Sequence, residues 1–214
     1  MKNIYCISGL GADERVFSRL NFGNNHVTFL HWETPDKNES LLQYTKRFID
    51  KIDKPSPILV GLSFGGIISI EIAKQINTEK VIMISSIQTQ KEMPLIFKLT
   101  GKTRLNKILP LKPFSFLEPF ENYNLGVKNE EEKILVREYR KNINQTFMNW
   151  SIDQIVNWQN KEKIPNLTHI HGSEDHIFPL KYVNPDFIIK GGGHFMIMNR
   201  AQEINKILEK EISS

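Results

Sequence analysis

Ile58-Leu59-Val60-Gly61-Leu62-Ser63-Phe64-Gly65-Gly66-Ile67-Ile68 is the stretch that decides how this chain is read. Its opening run, Ile58 to Val60, is apolar and rich in β-branched residues, the signature of a short buried strand. After it, Ile67, Ile68, Ile70, Ile72, Ala73 and Ile76 follow as the apolar positions of a helix. Between strand and helix lies Gly-x-Ser-x-Gly, the pattern of a sharp turn that lifts a serine hydroxyl clear of a sheet. Such a turn strains the backbone at the serine, and bulky neighbours would clash, which accounts for Gly61 and Gly65. The helix N-terminus behind the serine favours developing negative charge.

A serine hydroxyl is a weak nucleophile and needs a histidine base, itself oriented by a carboxylate. The chain holds six histidines: His26, His31, His169, His171, His176 and His194. Only His194 sits in a late, glycine-preceded loop, Gly191-Gly192-Gly193-His194-Phe195. That loop falls between the apolar run Phe187-Ile188-Ile189 and a helix-like stretch from Ala201 to Ile212. For the acid, Leu167 to His171 reads as a strand and runs into Gly172-Ser173-Glu174-Asp175-His176-Ile177-Phe178-Pro179. Asp175, past the strand's carboxyl end, is placed to reach a histidine on the next loop. Glu174 is the alternative, and an Asp in a loop is also an ordinary turn former. An earlier strand, Val81 to Ile84, leads into Ser85-Ser86-Ile87-Gln88 with no carboxylate, which supports the late position.

On these residues the chain resembles the α/β-hydrolase superfamily. Ser63, Asp175 and His194 stand in the order of that family's triad, each after an expected strand. Ser8-Gly9-Leu10-Gly11, following the strand Ile4 to Ile7, is similar to the family's His-Gly-x-Gly oxyanion loop, with Ser8 in the histidine's place. The resemblance implies an oxyanion hole built from the backbone N–H groups of Leu10 and Phe64. Donors of this kind contribute about 3–4 kcal/mol each to the transition state. Because they are backbone groups, Ser8 should leave the hole intact, while what anchors the loop stays open. The resemblance covers both ends and the middle of the chain, but not residues 88–160.

Strands are expected near 3–7, 27–31, 57–62, 80–85, 167–171 and 186–190. Helices are expected near 14–20, 40–52, 64–76 and 200–212, with others inside 88–160, among them Glu130 to Asn144 and a short one after Ser151. Strand–helix alternation with fully apolar strands means an α/β fold, a parallel sheet covered on both faces. The family's sheet has eight strands, and this chain starts at what resembles the third. The resemblance therefore implies a trimmed, three-layer α/β-hydrolase fold of six parallel strands. Residues 1–214 are read as one such domain, with 88–160 as a helical cap insertion.

A length of 214 residues, 40% of them hydrophobic, suits one domain with a sizeable core. No apolar run is long enough to span a bilayer, and the N-terminus opens on a strand rather than a signal segment. Cys6 is the only cysteine, so no disulfide framework exists and a cytoplasmic location is expected. The net charge of +4 does not point to nucleic acid, because the basic residues are interspersed with 24 acidic ones and no nucleic-acid motif accompanies them. The basic excess gathers at Lys98, Lys102, Arg104, Lys107 and Lys112, which reads as a solvated helical face. His169 and His171 share one face of their strand with His176 nearby, but no metal-ligand spacing accompanies them, so they read as core-edge or loop residues. His26 and His31 bracket a strand and are given no chemistry.

The 88–160 segment carries Phe97, Phe114, Phe116, Phe120, Tyr123, Phe147, Trp150 and Trp158. Most should pack a cap onto the sheet, and some should line a pocket over Ser63, at the strand ends where ligands bind in α/β folds. Such a lining favours an acyl or aryl group over a sugar or free phosphate. The expected function is hydrolysis of a small or medium apolar carboxylic ester or thioester through an acyl-enzyme on Ser63, with a small-molecule substrate and no cofactor or metal. The alternatives are a lyase or C–C bond hydrolase on the same fold, and a slow-turnover small-molecule receptor.

Overall fold

The computed structural model describes residues 1–108 and 117–213. Its strands are β1 (Asn3–Ile7), β2 (His26–Leu30), β3 (Ile58–Leu62), β4 (Lys80–Ile84), β5 (Leu167–Gly172) and β6 (Phe187–Ile189). They form one sheet in the order β2-β1-β3-β4-β5-β6 with every pairing parallel. Tyr5 stands opposite Leu59, Val60 opposite Ile82, and Met83 opposite His169. The six-stranded parallel sheet expected from the apolar runs is thus the sheet observed.

Every residue of β3 is buried, because helices cover both faces. On one face Tyr5, Ile7, Leu59, Val81 and Met83 pack against α1 (Leu41–Ile49) and α2 (Phe64–Ala73). On the other, Ile4, Cys6, Val60, Ile82 and Ile170 meet Val16, Phe17 and the apolar stripe Ile204, Leu208, Ile212 of the C-terminal helix, Ala201–Ser213. Helix α1 is started by a capping box in which Ser40 and Gln43 satisfy each other's backbone amides. Helix α2 has no side-chain cap: Ser63 sits at its N-cap but keeps its hydroxyl out of the capping bond. No helix among the described residues is long and apolar enough to cross a membrane.

Between β4 and β5 run α3 (Leu95–Thr103), α4 (Leu105–Ile108), α5 (Glu118–Leu125), α6 (Glu130–Asn142) and α7 (Gln145–Val156). Two local expectations change. The helix expected after Ser151 begins at Gln145, because the Asn144 side chain accepts from Phe147 N–H and starts it there. The helix expected near 14–20 is a single 3-10 turn, Glu14–Phe17, in which Ser18 N–H bonds back to the Arg15 carbonyl. A further turn, Leu20 N–H to the Phe17 carbonyl at 2.8 Å, follows it, and the chain passes through Gly23 at φ 62° on its way to β2. Lys112, Phe114 and Phe116 lie outside the described residues. The sheet is followed by the short α8 (Met196–Asn199) and α9 (Ala201–Ser213).

The close approach of α2 to β1 and β3 is a steric requirement. A methyl group at Gly65 would land on the carbonyl oxygens of Ile7 and Ser8, and one at Gly61 on the backbone of Gly65. Both obstacles are backbone and cannot rotate away. Gly65→Ala is therefore expected to lower the unfolding free energy by at least the roughly 1–3 kcal/mol typical of overpacking, read from urea denaturation. An unchanged midpoint would show that the crossing can widen at little cost.

Candidate active site

Ser63 follows β3 directly with φ 53° and ψ −115°, a conformation an L-residue holds only when its surroundings impose it. They do so by hydrogen bonds on both sides of the residue. Ser63 N–H donates to the Ile84 carbonyl at 2.9 Å. The Ser63 carbonyl accepts from Gly66 N–H at 2.9 Å and from the Ser86 hydroxyl at 2.7 Å. Sequence reasoning missed Ser86, since a serine after a strand carries no pattern of its own.

His194 and Asp175 meet at this turn. Asp175 Oδ2 lies 2.8 Å from His194 Nδ1, and His194 Nε2 lies 2.9 Å from Ser63 Oγ. An ionised carboxylate only accepts, so Nδ1 carries the imidazole proton and Nε2 offers its lone pair to the serine hydroxyl. Asp175 Oδ1 accepts from the N–H groups of Ile177 and Phe178, each at 2.8 Å. Burial pushes the Asp175 carboxyl up, but His194, His171 and the Phe178 N–H outweigh it and hold the group below the usual carboxylate range. Glu174 has its side chain beside Gly191 and contributes its backbone N–H, which bonds the Gly192 carbonyl at 2.8 Å and ties the two loops together. The structure thus brings Asp175, not Glu174, to His194.

The loop after β1 lies against the serine: a methyl group on Gly9 would be 3.5 Å from Ser63 Cβ. Ser8, which stands where the similar family has histidine, anchors the loop by donating its hydroxyl to the Ala12 carbonyl at 2.7 Å. Trp32 Nε1–H donates to the Gly9 carbonyl at 3.0 Å. Because the peptide is planar and trans, that bond fixes the Leu10 N–H on the opposite side. Among the described residues neither the Leu10 nor the Phe64 amide has an acceptor, as a helix N-terminus leaves the latter unpaired. Trp32 was not legible as a site residue, since nothing in the sequence links it to a loop 23 residues earlier.

The aromatic residues of the 88–160 segment divide by what they touch. Phe147 packs on Trp32 with ring centres 5.0 Å apart, and Trp150 meets Phe64 edge-on at 6.2 Å. Phe97 meets Phe178 edge-on at 6.0 Å, and Tyr123 stacks on His176 at 4.8 Å. Trp158 donates to the buried Glu71, whereas Phe120 is exposed. The end of α5 presses on the histidine loop: Phe195 N–H bonds the Leu125 carbonyl at 2.7 Å, and Gly193 and Gly126 face each other too closely for a side chain on either. A cavity of about 250 Å³ opens beside the Ser8–Gly11 loop, between Trp32, Tyr139, Ile143 and Phe147.

Among the described residues no three His, Cys, Asp or Glu side chains converge as metal ligands. His169 and His171 are fully buried and paired with each other. Of the basic run, Lys107 pairs with Asp153 at 3.4 Å, while Lys98 and Lys102 share a groove of about 430 Å³ with Lys91 and Trp158.

No protein-family model and no curated protein sequence matches the chain. Solved structures do match in shape. A bromoperoxidase from Bacillus anthracis superposes with a TM-score of 0.75 at 16% identity, over 100% of this chain and 93% of that one. An esterase from Exiguobacterium antarcticum gives 0.74 at 13% identity, over 100% and 92%. An alpha/beta hydrolase fold protein from Burkholderia ambifaria gives 0.71 at 12% identity, over 97% and 89%. Identities this low speak for the fold alone, and with the parallel six-stranded sheet and its helices on both faces they give one answer: the chain has the α/β-hydrolase fold.

Proposed function

We propose that this protein is a serine hydrolase that cleaves a small or medium apolar carboxylic ester or thioester. The observation that carries the reading is the continuous hydrogen-bonded line from Asp175 through His194 to the Ser63 hydroxyl, at 2.8 and 2.9 Å. Ser63 Oγ attacks the carbonyl carbon while His194 Nε2 takes its proton. The Leu10 and Phe64 N–H groups donate to the oxyanion, and His194 returns the proton to the leaving group. Asp175 keeps the proton on Nδ1 and stabilises the imidazolium. Water activated by the same histidine then releases the acid from Ser63. These steps call on no cofactor or metal.

Residues 88–160 act as the cap in this proposal. The rings of Trp32, Phe147 and Trp150 gather around Phe64, next to the serine, which favours an apolar acyl or aryl group. A second reading has one observation in its favour. Lys91, Lys98 and Lys102 line their groove without a carboxylate partner among the described residues, so an anionic leaving group such as coenzyme A would be attracted there. The neutral ester remains the preferred substrate, because exposed lysines are commonly just solvated.

A fluorophosphonate probe should add one adduct by intact mass, lost in Ser63→Ala. Asp175→Asn should fold normally and lower kcat by roughly 10³–10⁴, through the wrong imidazole tautomer, with Glu174→Gln nearly silent. An adduct that survives Ser63→Ala, or a silent Asp175→Asn, overturns the assignment.

Substrate charge is read with two thioesters of one acyl group, one on coenzyme A and one on a neutral thiol. Neutral-ester chemistry predicts similar kcat/KM for both, insensitive to salt. A strong coenzyme A preference that fades at high ionic strength, and on Lys102→Glu, would select the second reading, since exposed charges are screened beyond about 8–10 Å.

A further inference from the structure

Beside Asp175 lies a second pair of buried histidine rings that the proposed reaction does not use. His169 and His171 are two apart on β5, so both rings point to one face, and both are fully buried. His171 Nε2 lies 2.7 Å from the Phe178 carbonyl oxygen. A carbonyl only accepts, so Nε2 carries a proton. In a neutral ring the His171 lone pair is then on Nδ1, and His169 Nε2, 3.0 Å away, must be the donor to it. His169 Nδ1 makes no hydrogen bond of its own.

We propose that His171, held in its Nε2–H tautomer by His169, positions the loop that carries Asp175 and keeps a second positive charge away from the Asp175–His194 pair. The inference rests on the reading of Asp175 as the triad acid. The positioning runs through one residue. Phe178 gives its carbonyl to His171 and its N–H to Asp175 Oδ1, and its ring meets His194 edge-on at 5.7 Å. Fixing Phe178 through its carbonyl therefore helps to fix the carboxylate that its N–H holds.

His171 Nε2 is 3.6 Å from Asp175 Oδ2, too far to share a hydrogen bond but close enough for a full charge to act. A cation there would draw on the carboxylate that the His194 imidazolium depends on. The ionisable groups around His171 are Asp175, His194 and His169. Burial holds His171 below the usual histidine range and His194 acts in the same sense, while Asp175 opposes them. Burial and His171 push His169 down to about 3. The His169 Nε2–H also occupies the only position at which His171 could take a second proton.

The test uses the full chain and three variants, with turnover measured from pH 5 to 9 and ¹⁵N spectra of the histidine rings. His171→Leu removes the donor to Phe178 and is expected to lower kcat 10–100-fold with KM within about twofold, the cost of a small misplacement. His171→Gln, whose amide can still donate to that carbonyl, should recover most of the loss. His169→Phe frees His171 Nδ1, so the acid limb of kcat should steepen from one proton to two as His171 becomes titratable. In the native chain His171 should stay neutral and Nε2-protonated throughout.

An unchanged kcat in His171→Leu, no recovery in His171→Gln, a native-like acid limb in His169→Phe, or a cationic His171 in the native chain each overturns the proposal. If His171→Leu does not fold, the other two variants decide it. The spectra of Ser63→Ala read the tautomer without turnover. A correct tautomer alongside an active Ser63→Ala would therefore strike the hydrolase reading and leave the pair's geometry standing.

Discussion

The chemistry of this molecule is suspended from one backbone crossing, where the first turn of α2 passes over the ends of β1 and β3. Side chains are excluded there: Gly65 faces the Ile7 and Ser8 carbonyls, Gly61 faces Gly65, and a methyl on Gly66 would lie 2.6 Å from the Ser86 hydroxyl. Only with this contact closed does Ser63 reach φ 53°, and only then does the Ser86 hydroxyl reach its carbonyl. The strain at Ser63, of order 1–3 kcal/mol in similar turns, is held by groups that make no contribution of their own to reactivity. The crossing also sets the gap between Gly9 and Ser63, and with it the place where negative charge could be received.

The strand order places the rest. From β1 the chain goes to one side to form β2, and returns to the other side as β3. The loops after β1 and β3 therefore part from each other, opening the crevice that parallel sheets form at such a reversal. Leu10 lies on one bank and Ser63 on the other. The loops after β5 and β6 reach across from the far half of the sheet, laced by Ser173 N–H to the Ile189 carbonyl and Gly191 N–H to the Ser173 hydroxyl.

The parts of this arrangement that are periodic or local could be read in the sequence. The six strands were legible because each is a short run rich in apolar residues, the inner four buried on both faces, and the turn at Ser63 because glycines must flank it. His194 and Asp175 could be named because each follows a strand in a glycine-marked loop. What could not be read depends on contacts between distant segments. The bond from Trp32 to the Gly9 carbonyl, the Ser86 hydroxyl on the Ser63 carbonyl, and the docking of Gly126 on Gly193 leave no local pattern. His169 and His171 were visible as alternating residues on a strand face, but their ring nitrogens acquire partners only once Phe178 folds back over them. Helix α7 was misplaced because its cap, Asn144, read as the last residue of the preceding helix.

The long crossover between β4 and β5 has a consequence for how the protein is made. Residues 1–84 bring together β1 to β4 through shorter connections, so Ser63, Leu10 and Trp32 can find one another early. Asp175 and His194 join only when β5 pairs with β4, across the intervening residues 85–166. Closing a loop of that length costs entropy before any pairing repays it, which makes such contacts slow to form. A chain still being synthesised would thus carry a preformed serine turn without its base, and the elements that could make it reactive would arrive with the last two strands.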